Sequence, residues 1–145
     1  PAQRRSVVIS GAGDRRDEDI REQTRILGTA FDSVILYQDA CQRGRADGEV
    51  LALLRQGLEG ATRARQVEEI HGEFVAIDRA MDQLQTGDLC LILIDQVQEA
   101  LAHIQQRVAA QRPAPAAKPA AGKKSRKGQV ATAPAPLAAL TQHLA

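Results

Sequence analysis

The sequence predicts an α/β fold: a small, mostly parallel sheet with helices on both faces, Rossmann-like in outline, followed by a disordered tail. Three observations carry this. Short apolar runs alternate with stretches of helical periodicity in the order βαβαβαβα. The run over residues 33–37, Ser-Val-Ile-Leu-Tyr, is almost continuously apolar, as suits a parallel strand covered on both faces. From Arg112 the composition changes to Pro, Ala and Lys, which cannot bury enough apolar surface to offset its ordering entropy. The boundaries drawn are a domain over residues 1–111 and a flexible tail over 112–145.

The first strand is predicted over residues 6–9. Gly11 and Gly13 then permit a tight turn, because glycine accepts backbone angles that a Cβ forbids. Asp14, Arg15 and Arg16 stand in that turn. A helix follows over 17–30, with Asp17 and Glu18 expected to cap it and Asp19 to suit its positive dipole end. Ile20, Thr24, Ile26, Leu27 and Phe31 mark its apolar side. A strand, a charged Gly-rich turn and a helix is where α/β proteins place ligand-binding groups. Yet Gly11-x-Gly13-x-x-Arg16 fails the dinucleotide fingerprint, since Arg16 stands where the third glycine is required. The acids behind it repel a pyrophosphate. On local chemistry, a capped helix with solvated charges explains the stretch as well as a ligand site does.

After the strand at 33–37 comes a polar loop, 38–47, containing Gly44. The helix over 48–62 turns Val50, Leu51, Leu53, Leu54 and Leu58 inward, and Gly57 and Gly60 weaken its end. A third strand is predicted over 66–70. A third helix starts at Gly72 or Glu73, with Phe74, Ile77, Ala80, Met81 and Leu84 on one side, and Thr86-Gly87-Asp88 ends it. Residues 89–94, Leu-Cys-Leu-Ile-Leu-Ile, form an apolar run between turn signals and predict a central, buried strand. The last helix, 96–111, has Val97, Leu101, Ile104 and Val108 as its expected inner face.

At 145 residues the chain suffices for one domain with a core, and with aromatics at 2% that core must be aliphatic. It begins at Pro1, which suggests a processed chain or a fragment. Cys41 and Cys90 give neither a disulfide framework nor metal-ligand spacing, and Cys90 reads as a small buried hydrophobe. His71, His103 and His143 are far apart, and no metal site is expected. No signal peptide or membrane-spanning run is visible, so the expected setting is cytoplasmic, without a membrane partner. Residues 1–111 hold 13 Arg, no Lys and all 18 acidic residues, whereas 112–145 hold Arg112, Arg126 and all four Lys. The cluster Lys123-Lys124-Ser125-Arg126-Lys127 suits a solubilising extension or an anionic polymer. Without interleaved aromatics for base stacking, it argues against a nucleic-acid partner.

Three landmarks resemble a known family. Gly13-Asp14-Arg15-Arg16-Asp17-Glu18-Asp19 follows the first strand, Arg43-Gly44-Arg45-Ala46-Asp47-Gly48-Glu49 the second, and Thr86-Gly87-Asp88 precedes the fourth. Together they are similar to the C-terminal, lid-like part of the Mur ligase-like module of cyanophycin synthetases, over roughly residues 5–105. The first is also similar to the shorter Gly-Asp-Arg-Asp motif of Mur ligases. The resemblance implies an ATP-dependent amide ligase that adds arginine to the aspartate side chains of a poly-aspartate backbone. ATP phosphorylates the β-carboxyl group, and the amine of arginine attacks the acyl phosphate. It implies ATP and Mg²⁺ as cofactors, bound mainly by other domains, with arginine, the aspartate polymer and the remaining ligase domains as partners, in a homo-oligomer.

The chain contains no Gly-x-x-x-x-Gly-Lys-[Ser/Thr] run, so it is not expected to turn over ATP alone. Phosphoryl transfer needs charge neutralisation and positioning, which suits an arginine on a lid. The resemblance makes Arg15 the expected catalytic residue, with Asp14, Arg15 and Arg16 at the nucleotide. It makes Asp39, Arg43, Arg45, Asp47 and Glu49 the candidates for substrate binding. Against that stands an intraloop salt bridge of little net worth. Two other functions stay open: another Mur-like ligase of the peptidoglycan or folylpolyglutamate type, and a non-catalytic nucleotide- or partner-binding module with a basic tail. The Arg-Gly-Arg loop argues against the former.

Overall fold

The computed structural model describes residues 2–111. The predicted tail, including the basic cluster, lies outside the described residues. Strands and helices alternate throughout: β1 (Arg5–Ile9), α1 (Asp17–Ala30), β2 (Ser33–Gln38), α2 (Glu49–Gly57), β3 (Gln66–His71), α3 (Glu73–Gln83), β4 (Leu89–Ile92) and α4 (Val97–Gln111). The four strands form one sheet in the order β3-β2-β1-β4, and every pairing is parallel. From β1 the chain steps outward to β2 and β3, then returns to lay β4 on the other side of β1.

Alternation along each strand sorts the core into two layers. Val7, Ile9, Val34 and Leu36 point to one face, where Ile20 of α1, Val50, Leu51 and Leu54 of α2, and Leu58 just after α2 cover them. Val8, Ile35 and Tyr37 point to the other, against Ala76 and Ala80 of α3. All six residues of β2 are buried, so this strand, with both faces covered, anchors the sheet. Each fully buried Val, Leu or Ile contributes about 1.5–3 kcal/mol relative to exposure. The two helices of the first layer meet closely at Gly57, where a Cβ would come within 2.1 Å of the Arg21 carbonyl oxygen and of Thr24 Oγ1. Thr24, itself buried, donates its hydroxyl to the Leu54 carbonyl at 2.7 Å. At the amino-terminal edge of the sheet, Asp32 accepts from the Arg5 amide at 2.8 Å and from Arg63 Nε at 2.8 Å.

Four expectations are corrected. The run at 89–94 is an edge strand, not a central one, and its regular part ends at Ile92. Cys90 and Ile92 pack inward against the α3 layer, but Leu89, Leu91 and Leu93 stay 40–50% exposed. An apolar run records hydrophobicity on both sides without recording how many strands flank it. The last helix is rolled relative to the expected face. Ala100 is buried and His103 and Arg107 reach Asp78 on α3, while Val97, Leu101 and Val108 face outward. The second helix ends at Gly57 rather than 62, because Gly60 takes a positive φ of 76° in the turn that follows. Ile26 of α1 lies off the core face, 58% exposed.

Candidate functional site

The chain changes direction between β1 and β4, and in open α/β sheets ligands sit at such a switch, beyond the carboxyl ends of the strands. A cavity of about 400 Å³ lies there. The loop after β1 forms its floor, through Ser10, Gly11 and Ala12. Aliphatic groups of α1 and of the segment just after β4, Ile26, Leu27 and Leu93 among them, make one wall. Arg15, Asp39, Arg43 and Asp95 supply its charge.

In the loop after β1, two neighbouring arginines part company. Arg16, the N-cap residue of α1, folds back on the first turn and donates to both oxygens of Asp19 at 2.9 Å. That forked bond first, and the proximity of charge second, raise Arg16 above its ordinary value. Arg15 is exposed, lines the cavity, and has no carboxylate partner among the described residues. Asp14 stands 3.4 Å from Arg43 Nη1. The expected caps are absent: α1 has no side-chain cap bond, and Asp17 and Glu18 pair with arginines instead.

The loop after β2 divides in the same way. Arg43 adopts a left-handed backbone with φ 48°, the sole non-glycine residue among those described to do so. Such a conformation persists only where the surroundings over-determine it. It aims Arg43 at the cavity, 3.5 Å from Asp95 and 3.4 Å from Asp14. Arg45 turns the other way, into the protein, where its side chain is 15% exposed. Glu49 accepts from the Ala46 amide at 3.0 Å and from Arg45 at 2.6 Å. These two bonds, the backbone one first, hold Glu49 below the usual carboxylate range. Asp47 is bonded to the Gln38 amide, and Gln38 in turn accepts from the Gly48 amide at 2.8 Å.

Of the residues expected at a site, Arg15, Asp39 and Arg43 come together on the cavity wall, with Asp14 beside Arg43. Arg16, Arg45, Asp47 and Glu49 are not brought there; each is engaged in holding its own loop.

Three contributors escaped the sequence reading. Asp95, just beyond β4, faces Asp39 across the cavity. Partial burial first, then the neighbouring Asp95 carboxyl, raises Asp39 above its ordinary range. Glu73, 2% exposed at the start of α3, accepts from the Asp95 amide at 2.7 Å and from the Gln96 amide at 3.2 Å, and so fixes the loop that carries Asp95. Tyr37 donates to the Leu93 carbonyl at 3.2 Å. Burial first, then the charges of Glu73, Asp39 and Asp95, push its hydroxyl up, which keeps it a donor. A sequence signal existed for Asp95 alone: it follows an apolar strand at the edge where Asp14 and Asp39 follow theirs.

The cavity thus offers two guanidinium groups to an anion and a carboxyl pair to a cation, beside an aliphatic wall. A planar guanidinium on the protein suits phosphate or carboxylate oxygens, and a carboxylate suits an incoming guanidinium. Among the described residues no group of three or more His, Cys, Asp or Glu converges to hold a metal ion. No described helix is long and apolar enough to cross a membrane.

No protein-family model matches the chain. Among solved structures, protein Rv1636 from Mycobacterium tuberculosis H37Rv covers 76% of this chain and 91% of its own, at 17% identity and a TM-score of 0.34, too low to bear on function. The sequence relatives are closer. Cyanophycin synthetase from Synechocystis sp. is 34% identical over 100 residues, which is 69% of this chain and 12% of that enzyme. The synthetase of Crocosphaera subtropica is 34% identical over the same length, again 12% of the enzyme, and that of Trichormus variabilis 33%, over 11% of the enzyme. The chain therefore carries a segment homologous to cyanophycin synthetases, a ligase family of whose members it spans about 12% of the length.

Proposed function

We propose that this domain is the C-terminal, lid-like part of an ATP-dependent ligase that adds arginine to aspartate side chains through an acyl phosphate. The observation that carries the reading is the placement of Arg15: an arginine without a carboxylate partner among the described residues, on a cavity at the switch point, in a chain related to cyanophycin synthetases. Arg15 faces the phosphoryl group and neutralises charge as it transfers. Arg43, with Asp14 beside it, serves the same anionic end. Asp39 and Asp95 receive the guanidinium of the incoming arginine, and its methylene stem lies along Leu93 and Ile26. A guanidinium favours the charged form of Asp39, so arginine binding strengthens as pH rises through the raised Asp39 range.

ATP brings the phosphoryl group and Mg²⁺ screens it; their main ligands belong to ligase domains outside this chain, which are its proposed partners in a homo-oligomeric, cytoplasmic enzyme. The test is arginine incorporation by the complete ligase into a poly-aspartate primer. The reading expects release of phosphate that depends on arginine and is lost when this domain is deleted. Phosphate release indifferent to arginine, or incorporation that survives the deletion, rejects it.

A further inference from the structure

Arg45 was expected to touch substrate, yet its guanidinium is consumed inside the protein. Its Nε donates to the Gly13 carbonyl at 2.7 Å and its Nη2 to the Arg15 carbonyl at 2.7 Å. Asp17 stands 2.8 Å from the same Nη2, and Glu49 2.6 Å from Nη1. The bonds to Asp17 and Glu49 come first among the causes that raise Arg45 above its ordinary value. Two backbone carbonyls from one loop and two carboxylates from the helices on either side therefore surround one planar group.

The approach of the two loops is backbone to backbone. A Cβ on Gly13 would fall 2.1 Å from the Gln42 carbonyl oxygen. The turn that brings Arg45 back runs through the left-handed Arg43 and Gly44, with φ 48° and 90°, and closes with the Arg45 amide on the Gln42 carbonyl at 3.1 Å. One turn thus swings Arg43 outward to the cavity and Arg45 inward to the neighbouring loop.

We propose that Arg45 is a positioning residue: by holding the Gly13 and Arg15 carbonyls it fixes the backbone from which the Arg15 side chain reaches the cavity. The role rests on the reading of Arg15 as the phosphate-facing group. It requires arginine, because two parallel donors in a fixed plane meet carbonyls two residues apart, whereas a lysine ammonium is a point charge on a flexible stem. Displacing a charge-stabilising group by an ångström costs about a hundredfold in rate, which is the size of effect such a staple controls.

The experiment compares Arg45→Lys, Arg15→Ala and the double variant. In the full chain, amide hydrogen exchange at Arg15, whose N–H bonds to the Ala12 carbonyl, is expected to speed up about tenfold or more in Arg45→Lys, while exchange in β2 stays unchanged. In the complete ligase, Arg45→Lys is expected to lower kcat at least about tenfold with KM for ATP nearly constant, and to add no further loss in the Arg15→Ala background. Unchanged Arg15 exchange, or losses that multiply in the double variant, overturns the positioning role. Normal turnover in Arg15→Ala rejects instead the reading of Arg15 on which the role rests, and the exchange result then reports on the staple alone. Faster exchange in β2 as well means that the substitution loosens the whole fold, which also overturns the proposal.

Discussion

Each of the two edge loops carries a pair of arginines, and the two members of each pair do opposite work. Arg15 and Arg43 look into the cavity, whereas Arg16 and Arg45 bind their own scaffold. The carboxylates divide likewise: Asp39 and Asp95 face the cavity, while Asp19, Asp47 and Glu49 hold loops and helix ends. Residue type does not distinguish the classes. The tightness of engagement does: Arg16 and Arg45 are held at 2.6–2.9 Å by carbonyls and carboxylates, whereas Arg15 meets no carboxylate among the described residues and Arg43 stands 3.4 and 3.5 Å from Asp14 and Asp95, which leaves both with donors for a ligand on the concave edge.

The comparison breaks most severely if the two loops are forced apart. Gly13→Ala places a methyl group 2.1 Å from the Gln42 carbonyl oxygen, so one backbone must yield. Overpacking of this kind costs about 1–3 kcal/mol. Chemical denaturation of the full chain is expected to show that loss. The same substitution in the complete ligase is expected to cut turnover below the level that stability explains, since Arg15 moves with its loop.

A paired substitution sharpens the contrast next. Asp39→Asn is expected to raise KM for arginine about tenfold or more, the size of one charged hydrogen bond of about 1.5–3 kcal/mol. It should leave the melting temperature equal or higher, because the substitution removes a carboxyl that burial and Asp95 disfavour in its charged form. Asp47→Asn, which disturbs the bond to Gln38, is expected to lower the melting temperature and leave that KM in place. Steady-state kinetics beside thermal melts decide it, and exchanged phenotypes undo the assignment.

The smallest effect is in acid. Asp32 is held low by the Arg63 bond and then by the Arg5 amide, and Glu49 by the Ala46 amide and then Arg45. Their folded values lie below their unfolded ones, so their stabilisation is complete above about pH 5 and is lost as pH falls through the folded range. Asp39 runs the other way: its raised value makes the charged form a liability that is relieved as pH falls. Melting temperatures from pH 7 to 3 are therefore expected to decline, and Asp32→Asn to flatten the decline while Asp39→Asn steepens it.

Much of the fold was legible in the sequence, for reasons particular residues show. The boundaries of α1 and the inward face of α2 followed from aliphatic spacing, and both agree with the packing of Ile20, Val50, Leu54 and Leu58. The edge position of β4 was hidden, because Leu89, Leu91 and Leu93 read as buried when they are half open. The roll of α4 was hidden too: its seat is set by polar bonds from His103 and Arg107 to α3, and an apolar count has no access to those. At the site, the strand-turn-helix pattern located the loops but not the direction of each side chain. That direction depends on the left-handed backbone at Arg43 and on bonds such as Arg45 to Gly13, which join residues far apart in sequence. Glu73 was read only as a possible first residue of the third helix; the return of the chain past β4 turns it into the clasp on Asp95.

The central claim is that neighbouring arginines in one motif carry different tasks, and it is tested most directly by turnover of the complete ligase with Arg15→Ala and Arg16→Ala measured side by side. Losing a group that stabilises transferring charge commonly costs about 2.7–4 kcal/mol, so Arg15→Ala is expected to lower kcat by about 10²–10³. Arg16→Ala removes an exposed pair to Asp19 and is expected to stay within about twofold of the parent enzyme. Equal losses for the two, or a larger loss for Arg16→Ala, would contradict the account.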